Sequence, residues 1–193
     1  MDNEKRFEER VNRVLDQIIA GRNKFNEVSC SAGLPYPSIR FKKDPKQAQI
    51  LLDLYAGAIS EFTAVNSFRY QFLEAEPENP VFSRLLKCVT LNEEFHVRTL
   101  ARLIDRLGGN PKYYNSEKEF WDGSLAIYGT GVRDRLMGDI EAEKGIIQLY
   151  EETVDKLTDP EVISLVERLG LDDVFHLELF QEALKRFENG EFR

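Results

Sequence analysis

The stretch that decides the fold is LNEEFH at residues 91–96, and the similar stretch LDDVFH follows at residues 171–176. Each stretch ends in one of the chain's 2 histidines, and each histidine follows an acid by three residues, Glu93 in the first stretch and Asp173 in the second. Positions three apart on a helix are neighbours on one face, so each pair would present a carboxylate and an imidazole to the same point. Two such pairs that face each other inside a helical bundle would form a site for two metal ions.

The sequence around these stretches predicts four long helices. Three of them start where a capping side chain precedes a proline, at residues 44–45, 79–80 and 159–160. This combination is favoured in the first turn of a helix. The predicted helices cover about 45–75, 80–107, 132–157 and 160–188.

The lengths of the connections predict how these helices are arranged. Within the first pair and within the second pair the connection is only a few residues long, whereas about 25 residues, rich in aromatic side chains, join the pairs. Short connections make antiparallel hairpins, and a long connection can carry the chain back along the bundle. We therefore predict an all-α fold, a four-helix bundle with a long crossover between bundle helices 2 and 3. The crossover is expected to be a loop with one turn of helix.

An additional segment precedes the bundle. Residues of about 3–20 place apolar side chains at helical spacing, and residues 22–44 contain glycine, proline and serine, which is typical of a long irregular connection. We expect residues 1–44 to form an N-terminal helix and an irregular arm, and residues 45–193 to form the bundle. The length of the chain suits one domain overall.

Composition restricts the partners and the location. The chain has 34 acidic and 26 basic residues and a formal net charge of −8, which argues against binding to nucleic acid or to an anionic membrane. No apolar run approaches the ~18 residues of a membrane span. The N-terminus lacks an apolar signal core, so the cytoplasm is the expected location. Cys30 and Cys88 show no metal-binding spacing and are expected to be reduced, unpaired thiols.

Each predicted bundle helix carries one acid on an otherwise apolar face, and two of the helices add a histidine. The candidate metal ligands are Glu61, Glu93, His96, Glu143, Asp173 and His176. Spacings of 32 residues between the first two acids and 30 between the last two would put all four at nearly the same level of two antiparallel hairpins. Basic side chains are absent from these faces, so the buried carboxylates need other compensation. Two divalent cations would balance four negative charges, and mixed carboxylate and histidine ligation favours iron or manganese.

Neighbouring polar residues compete with these candidates. Glu94 and Glu141 lie off the apolar faces and are expected to be in solvent. Asp172 is a weaker alternative in the fourth helix, and Asp139 is expected to support the ligands from behind. Tyr150 is expected to pack in the core rather than to take part in redox chemistry.

The candidate ligands on four helices with a long crossover resemble the ferritin-like superfamily, over residues of about 45–188. The local stretches SEFTA at 60–64 and LGGNP at 107–111 are most similar to bacterial rubrerythrin-like and manganese-catalase-like members. The resemblance implies that Glu93 and Asp173 bridge two metals. It also implies that each metal has one terminal glutamate and one histidine, and that the chemistry is redox chemistry with dioxygen or peroxide.

The resemblance departs from the family pattern at two positions. Asp173 stands where the family usually has the longer glutamate, and Ile146 stands where rubrerythrins carry an extra acid. The function expected is an oxidoreductase that acts on peroxide or dioxygen. The alternatives are a protein that oxidises and sequesters iron, and a non-catalytic bundle whose metal site has degenerated at Asp173. The N-terminal helix and arm suggest contact within a homodimer.

Overall fold

The computed structural model describes residues 2–21 and 29–192, and in this part of the chain it contains six α-helices and one short 3-10 helix. The helices are α1 (Asp2–Ile19), α2 (Pro45–Ala56), α3 (Glu61–Ala75), α4 (Pro80–Leu107), α5 (Gly131–Lys156) and α6 (Pro160–Glu188). α3 packs against α4, and α5 packs against α6, so these helices form two hairpins. The predicted all-α bundle is confirmed.

The helices begin where capping was expected. Asp44, Asn79 and Asp159 each accept hydrogen bonds from backbone amides of the turn that follows, with proline in the first turn. These bonds satisfy amides that have no partner within the helix. α4 ends at Gly108, whose φ of 95° lies in the left-handed region that favours glycine. The predicted bounds of the second and fourth bundle helices are those observed.

The prediction of one continuous first bundle helix over 45–75 is wrong, because α2 and α3 are separate helices there. Gly57 ends α2, and a Cβ at this position would lie 2.5 Å from the carbonyl oxygen of the residue four positions earlier. The hydroxyl of Ser60 then starts α3, because it accepts from the Thr63 amide at 3.2 Å and donates to the Gly57 carbonyl at 2.8 Å. Glu61 is therefore the first residue of a helix rather than a residue in the middle of one.

The crossover between α4 and α5 covers this junction. Phe62 stacks on Tyr113 with ring centroids 4.3 Å apart, and the indole N–H of Trp121 donates to the hydroxyl of Thr63 at 2.9 Å. One helical turn, at Gly123–Leu125, interrupts the loop as predicted. The aromatic residues of the crossover thus hold the start of α3 in place.

The N-terminal helix packs on the outside of the bundle, against α4 and α6. Its Phe7 meets Phe175 of α6 edge to face, with ring centroids 5.2 Å apart. The irregular connection predicted over 22–44 is described from residue 29 onwards and contains neither helix nor strand from there to residue 44, whereas its first part, 22–28, lies outside the described residues. Among the described helices, none is long and apolar enough to cross a membrane.

The prediction of unpaired thiols is wrong. Cys30 of the arm and Cys88 of α4 form a disulfide, with Cα atoms 5.7 Å apart. The two cysteines are separated by 58 positions in sequence, and only the folding of the arm along α4 brings them together. No local spacing could have indicated this pairing.

Candidate metal centre

The structure brings all six candidate ligands together in the middle of the bundle, where every one of their side chains is fully buried. They form two overlapping groups, and within each group one ligand atom of every residue lies within 4.8 Å of the others. The first group is Glu61, Glu93, His96 and Asp173, and the second is Glu93, Glu143, Asp173 and His176. Glu93 and Asp173 belong to both groups, which is the arrangement that a pair of ions with shared carboxylates requires.

The spacing of three residues has the effect expected from helix geometry. On α4, Nδ1 of His96 lies 3.1 Å from Oε2 of Glu93, and on α6, Nδ1 of His176 lies 3.7 Å from Oδ1 of Asp173. The pairs also meet across the bundle, since Nδ1 of His176 lies 2.6 Å from Oε1 of Glu93. Both histidines therefore turn Nδ1 towards the carboxylates.

Most of the polar atoms in this cluster make no hydrogen bond of good geometry. These atoms are Glu61 Oε2, Glu93 Oε1, both carboxylate oxygens of Glu143 and Asp173, and His176 Nδ1. The approach of His176 Nδ1 to Glu93 Oε1 at 2.6 Å is an ion-pair contact without the geometry of a hydrogen bond. Burial of carboxylate oxygens without partners is strongly unfavourable. Oxygen and imidazole nitrogen donors at this spacing suit divalent iron or manganese, and binding would give these atoms the partners that they lack. The residues present therefore fit a pair of metal ions.

The cluster has a strong affinity for protons. Burial, together with the charges of Asp173 and Glu93, raises the pKa of Glu61 well above its ordinary value. Burial likewise raises the pKa of Asp173, to about 6. Burial would lower the pKa of His176, but the charge of Glu93 raises it well above the usual range. An incoming cation has to displace protons from these groups.

On the far side of His96, sequence reasoning missed the role of Asp172. Nε2 of His96 lies 3.2 Å from Oδ2 of Asp172, and the same carboxylate accepts from the Ala32 amide at 2.7 Å, from the Tyr36 hydroxyl and from Arg168 at 2.8 Å. Burial would raise the pKa of Asp172, but the hydrogen bonds from His96 and Tyr36 lower it well below its ordinary value. An ionised Asp172 thus favours a proton on Nε2 of His96 and holds the ring with Nδ1 facing the cluster.

This finding corrects two expectations. Asp172 is not an alternative ligand but a partner of His96, and a basic residue does lie beside the apolar face, because Arg168 is buried against Asp172. The i, i+4 spacing of Arg168 and Asp172 is the sequence signal that could have indicated this ion pair.

His176 has a different partner behind it. Its Nε2 lies 2.9 Å from the backbone carbonyl oxygen of Cys30, to which it donates. The two histidines are therefore held by unequal acceptors, a carboxylate for His96 and a neutral carbonyl for His176. The arm supplies the second acceptor directly.

Of the other polar residues considered in the sequence, Glu94 and Glu141 lie where they were predicted, whereas Tyr150 and Asp139 have partners that were not predicted. The hydroxyl of Tyr150 donates to Oε1 of Glu61, so Tyr150 does more than pack in the core. Asp139 is buried, but its partner is Gln71, at 2.8 Å, rather than a candidate ligand. Glu94 and Glu141 lie in solvent as predicted, with side chains 40% and 72% exposed.

The fold and the carboxylate–histidine cluster define the ferritin-like superfamily of di-metal carboxylate proteins, as the sequence resemblance predicted. The family model described as Rubrerythrin matches residues 54–184, and the chain belongs to this family. Comparison with curated protein sequences gives no match.

Solved structures show the same fold. A manganese catalase, KatB from Anabaena PCC7120, is 23% identical with a TM-score of 0.75, and the match covers 81% of this chain and 79% of that one. The Desulfovibrio desulfuricans bacterioferritin is 19% identical with a TM-score of 0.63, over 75% of this chain and 81% of that one. The Mycobacterium tuberculosis bacterioferritin BfrA is 16% identical with a TM-score of 0.63, over 77% of this chain and 90% of that one.

Proposed function

We propose that the chain binds two divalent metal ions, iron or manganese, and acts as an oxidoreductase on peroxide or dioxygen. The observation that carries this proposal is the convergence of unpartnered buried oxygen and nitrogen atoms in two groups that share two carboxylates. Two redox-active metal ions, once bound, would supply reversible electron transfer to and from a small oxygen species.

The six residues have distinct roles in this proposal. Glu93 and Asp173 would be shared by the two ions, because they belong to both groups. Glu61 and His96 would hold one ion, and Glu143 and His176 would hold the other.

Other properties of the chain support the reaction. The ligands are fully buried, so bulk water is excluded and electrostatic interactions with a reacting oxygen species are strong. The hydroxyl of Tyr150, which donates to Glu61, holds that carboxylate in orientation and keeps a proton at the edge of the site. Asp172 orients His96 in the same manner.

The geometry of Asp173 argues against a degenerate site. Its Oδ1 lies 3.8 Å from Nδ1 of His96 and 3.7 Å from Nδ1 of His176, so the shorter acid still reaches the point between the two histidines. Neither of its carboxylate oxygens has a hydrogen-bond partner. This position of Asp173 supports the proposal that it is shared by both ions.

Metal analysis tests the proposal most directly. The full chain, loaded with iron or manganese and dialysed, is expected to retain two ions, and the Glu93→Gln variant fewer than one. Glu94→Gln is the matched control, because Glu94 is adjacent in sequence but lies in solvent beside Arg69, and it should retain two. Fewer than one ion in the unaltered chain would overturn the proposal.

Hydrogen peroxide then separates the possible activities. Release of oxygen from peroxide alone indicates a catalase, whereas consumption of peroxide only with a reductant indicates a peroxidase. A metal-loaded chain that reacts with neither peroxide nor dioxygen contradicts the oxidoreductase proposal.

The alternative is a protein that oxidises and sequesters iron, which the fold likeness to bacterioferritins favours. Storage requires a large shell of subunits. Size-exclusion chromatography distinguishes the two functions, because the oxidoreductase proposal expects a small assembly such as a homodimer.

A further inference from the structure

The arm that precedes the bundle holds both histidines of the candidate metal centre from behind. The carbonyl oxygen of Cys30 accepts from His176 at 2.9 Å. Two residues later, the amide of Ala32 donates to Asp172 at 2.7 Å, and Asp172 is in turn the partner of His96. The position of the arm therefore decides how firmly both rings are held.

One covalent bond ties this arm to the bundle. Cys30 and Cys88 are the chain's 2 cysteines, and they form a disulfide between the arm and α4. At the arm end, Cys30 contacts His176 through its own carbonyl. At the other end, Asn92, one turn beyond Cys88 on α4, places Nδ2 2.6 Å from Nε2 of His96. The disulfide thus lies close behind both halves of the metal centre.

A surface groove opens on this disulfide. Its volume is about 290 Å³, and both cysteines line it. Its walls combine apolar and aromatic side chains, Leu91, Tyr36 and Phe95, with hydroxyl and amide groups such as those of Ser31 and Asn92. A groove of this size is at the small end of ligand pockets and takes a small molecule rather than a folded domain.

The two cysteines are unequally exposed. As whole residues, Cys88 is 9% exposed and Cys30 is 2% exposed, and we take Cys88, the more exposed of the two, as the cysteine that a thiolate in the groove attacks. The leaving group is then Cys30, which is the cysteine on the arm. Attack from the groove therefore breaks the covalent link between the arm and α4 in its first step.

We propose that Cys30–Cys88 is a thiol-exchange site, that its reductant is a small dithiol bound in this groove, and that its reduction loosens the arm behind the metal centre, with loss of the ion at the His176 half. The exchange itself is independent of metal, whereas its effect on the centre rests on the function proposed above. In the first step, a thiolate of the dithiol attacks Sγ of Cys88, the S–S bond breaks and Cys30 leaves as a thiolate that takes up a proton. In the second step, the other thiolate of the dithiol attacks the mixed disulfide, and Cys88 leaves and is protonated. The chain gains two electrons and two protons, and the dithiol becomes a cyclic disulfide.

The competing explanation is that the disulfide is only a structural staple, a bond that stabilises the fold and has no redox role. A disulfide that closes a long loop stabilises a fold by restricting the unfolded chain. The two explanations differ in when the bond can be reduced. A staple is reduced only when the helices unfold, whereas an exchange site is reduced in the folded protein.

The first experiment measures reduction of the native full chain by dithiothreitol. Cysteines are alkylated and counted by mass spectrometry while circular dichroism monitors the helices. Both cysteines should be labelled with helicity retained. Labelling that occurs only at denaturant concentrations that unfold the helices would overturn the proposal, whatever the metal content of the chain.

A pair of variants tests whether the reductant uses the groove. Leu91→Trp places a bulky side chain in the groove wall and should slow reduction at least fivefold. Leu73→Trp is the control, because Leu73 is also an exposed leucine, 58% against 49%, but lies on α3 outside the groove. Equal rates in both variants would show that the groove is not the route.

The second experiment follows the arm and the centre. Reduction should remove the hydrogen-exchange protection of the Ala32 amide, which donates to Asp172, in the metal-free chain. In the metal-loaded chain it should lower retention after dialysis from two ions to one. A Cys30→Ser, Cys88→Ser double variant should behave like the reduced chain without any reductant.

The outcomes separate this proposal from the proposed function. If the oxidised chain binds no metal but reduction still deprotects Ala32, thiol exchange stands and the di-metal function fails. If oxidised and reduced chains retain equal numbers of ions and protect Ala32 equally, the link between the disulfide and the centre is wrong.

Discussion

His96 and His176 face each other across the candidate metal centre with ring centroids 6.1 Å apart and planes inclined by 26°. Both turn Nδ1 to the shared carboxylates, yet Nε2 of His96 meets the Asp172 carboxylate and Nε2 of His176 meets the Cys30 carbonyl. An ionised partner makes an imidazole a stronger donor to a metal than a neutral carbonyl does. The two metal positions are therefore expected to differ in affinity, with the tighter one at His96.

Replacement of Asp172 tests this inequality. Asp172→Asn retains the shape but removes the charge behind His96, and it should weaken the tighter position by about 10- to 100-fold while the His176 position changes little. Titration of the metal-free chain with manganese or iron measures both affinities. Asp105→Asn, an exposed acid on α4, the helix that carries His96, is the control. Equal weakening of both positions would show that Asp172 does not act through His96.

Metal uptake is expected to release protons. The pKa values of Glu61, Glu143 and the two histidines are raised well above their ordinary values, so these groups bind protons more tightly in the metal-free chain than in water. A bound cation needs the deprotonated forms, so affinity should fall as pH falls, with about two protons or more released per chain at pH 7. Calorimetry in buffers of different ionisation enthalpy counts the protons. Uptake without proton release would contradict the expectation.

Asp139 is expected to destabilise the fold at neutral pH. Burial raises its pKa to about 8. Below an unfolded pKa of about 4, both states are protonated and there is no penalty. As pH rises from there towards 8, the unfolded chain loses this proton while the folded chain keeps it, so stability falls.

Asp139→Asn should therefore stabilise the protein at pH 7, by up to about 4 kcal/mol, and flatten this part of the pH profile. An asparagine could also give partners to Oε1 of Gln71, which has none at present. Urea unfolding at several pH values measures the effect. A destabilised variant would show that Asp139 is ionised and compensated in the native protein.

The Tyr150→Phe substitution is expected to lower the stability of the metal-free chain more than that of the metal-loaded chain. Loss of the hydroxyl removes the hydrogen bond to Oε1 of Glu61, which should destabilise the metal-free fold by about 1–3 kcal/mol. With metal bound, Glu61 has a cation as partner, and the loss should be smaller. Thermal unfolding with and without metal measures both losses of stability. Equal losses would show that the hydroxyl does not act through Glu61.

How far the fold could be predicted depends on the range of the interactions that produce each feature. Caps such as Asn79 and the apolar periodicity are local, so α4 and α6 could be located to the residue. The break between α2 and α3 was missed, because apolar residues continue through it at helical spacing and outweighed the local signals of Gly57 and the Ser60 cap. The disulfide was missed because Cys30 and Cys88 are far apart in sequence.

The candidate metal centre, too, could be predicted only where local helix geometry determines the position of a residue. The i, i+3 pairs and the acids on apolar faces indicated which residues converge, since both signals follow from helix geometry. The assignment of Asp172 failed, because adjacent acids on one helix differ in role only through what the arm and Arg168 bring to them. Tyr150 was taken as core packing for a similar reason, since its partner Glu61 lies on another helix.

The interruption before Glu61 has a consequence for how the protein can change over evolution. In an unbroken helix, one inserted residue turns everything downstream by about 100°, so a ligand in mid-helix forbids length changes on either side. Here Ser60 restarts the helix beside the ligand, and the aromatic crossover anchors that restart. The length of α2 is thereby uncoupled from the rotational position of Glu61. Length changes in α2 would leave the orientation of Glu61 unaltered, whereas those in α4, α5 and α6 would turn a ligand out of the centre.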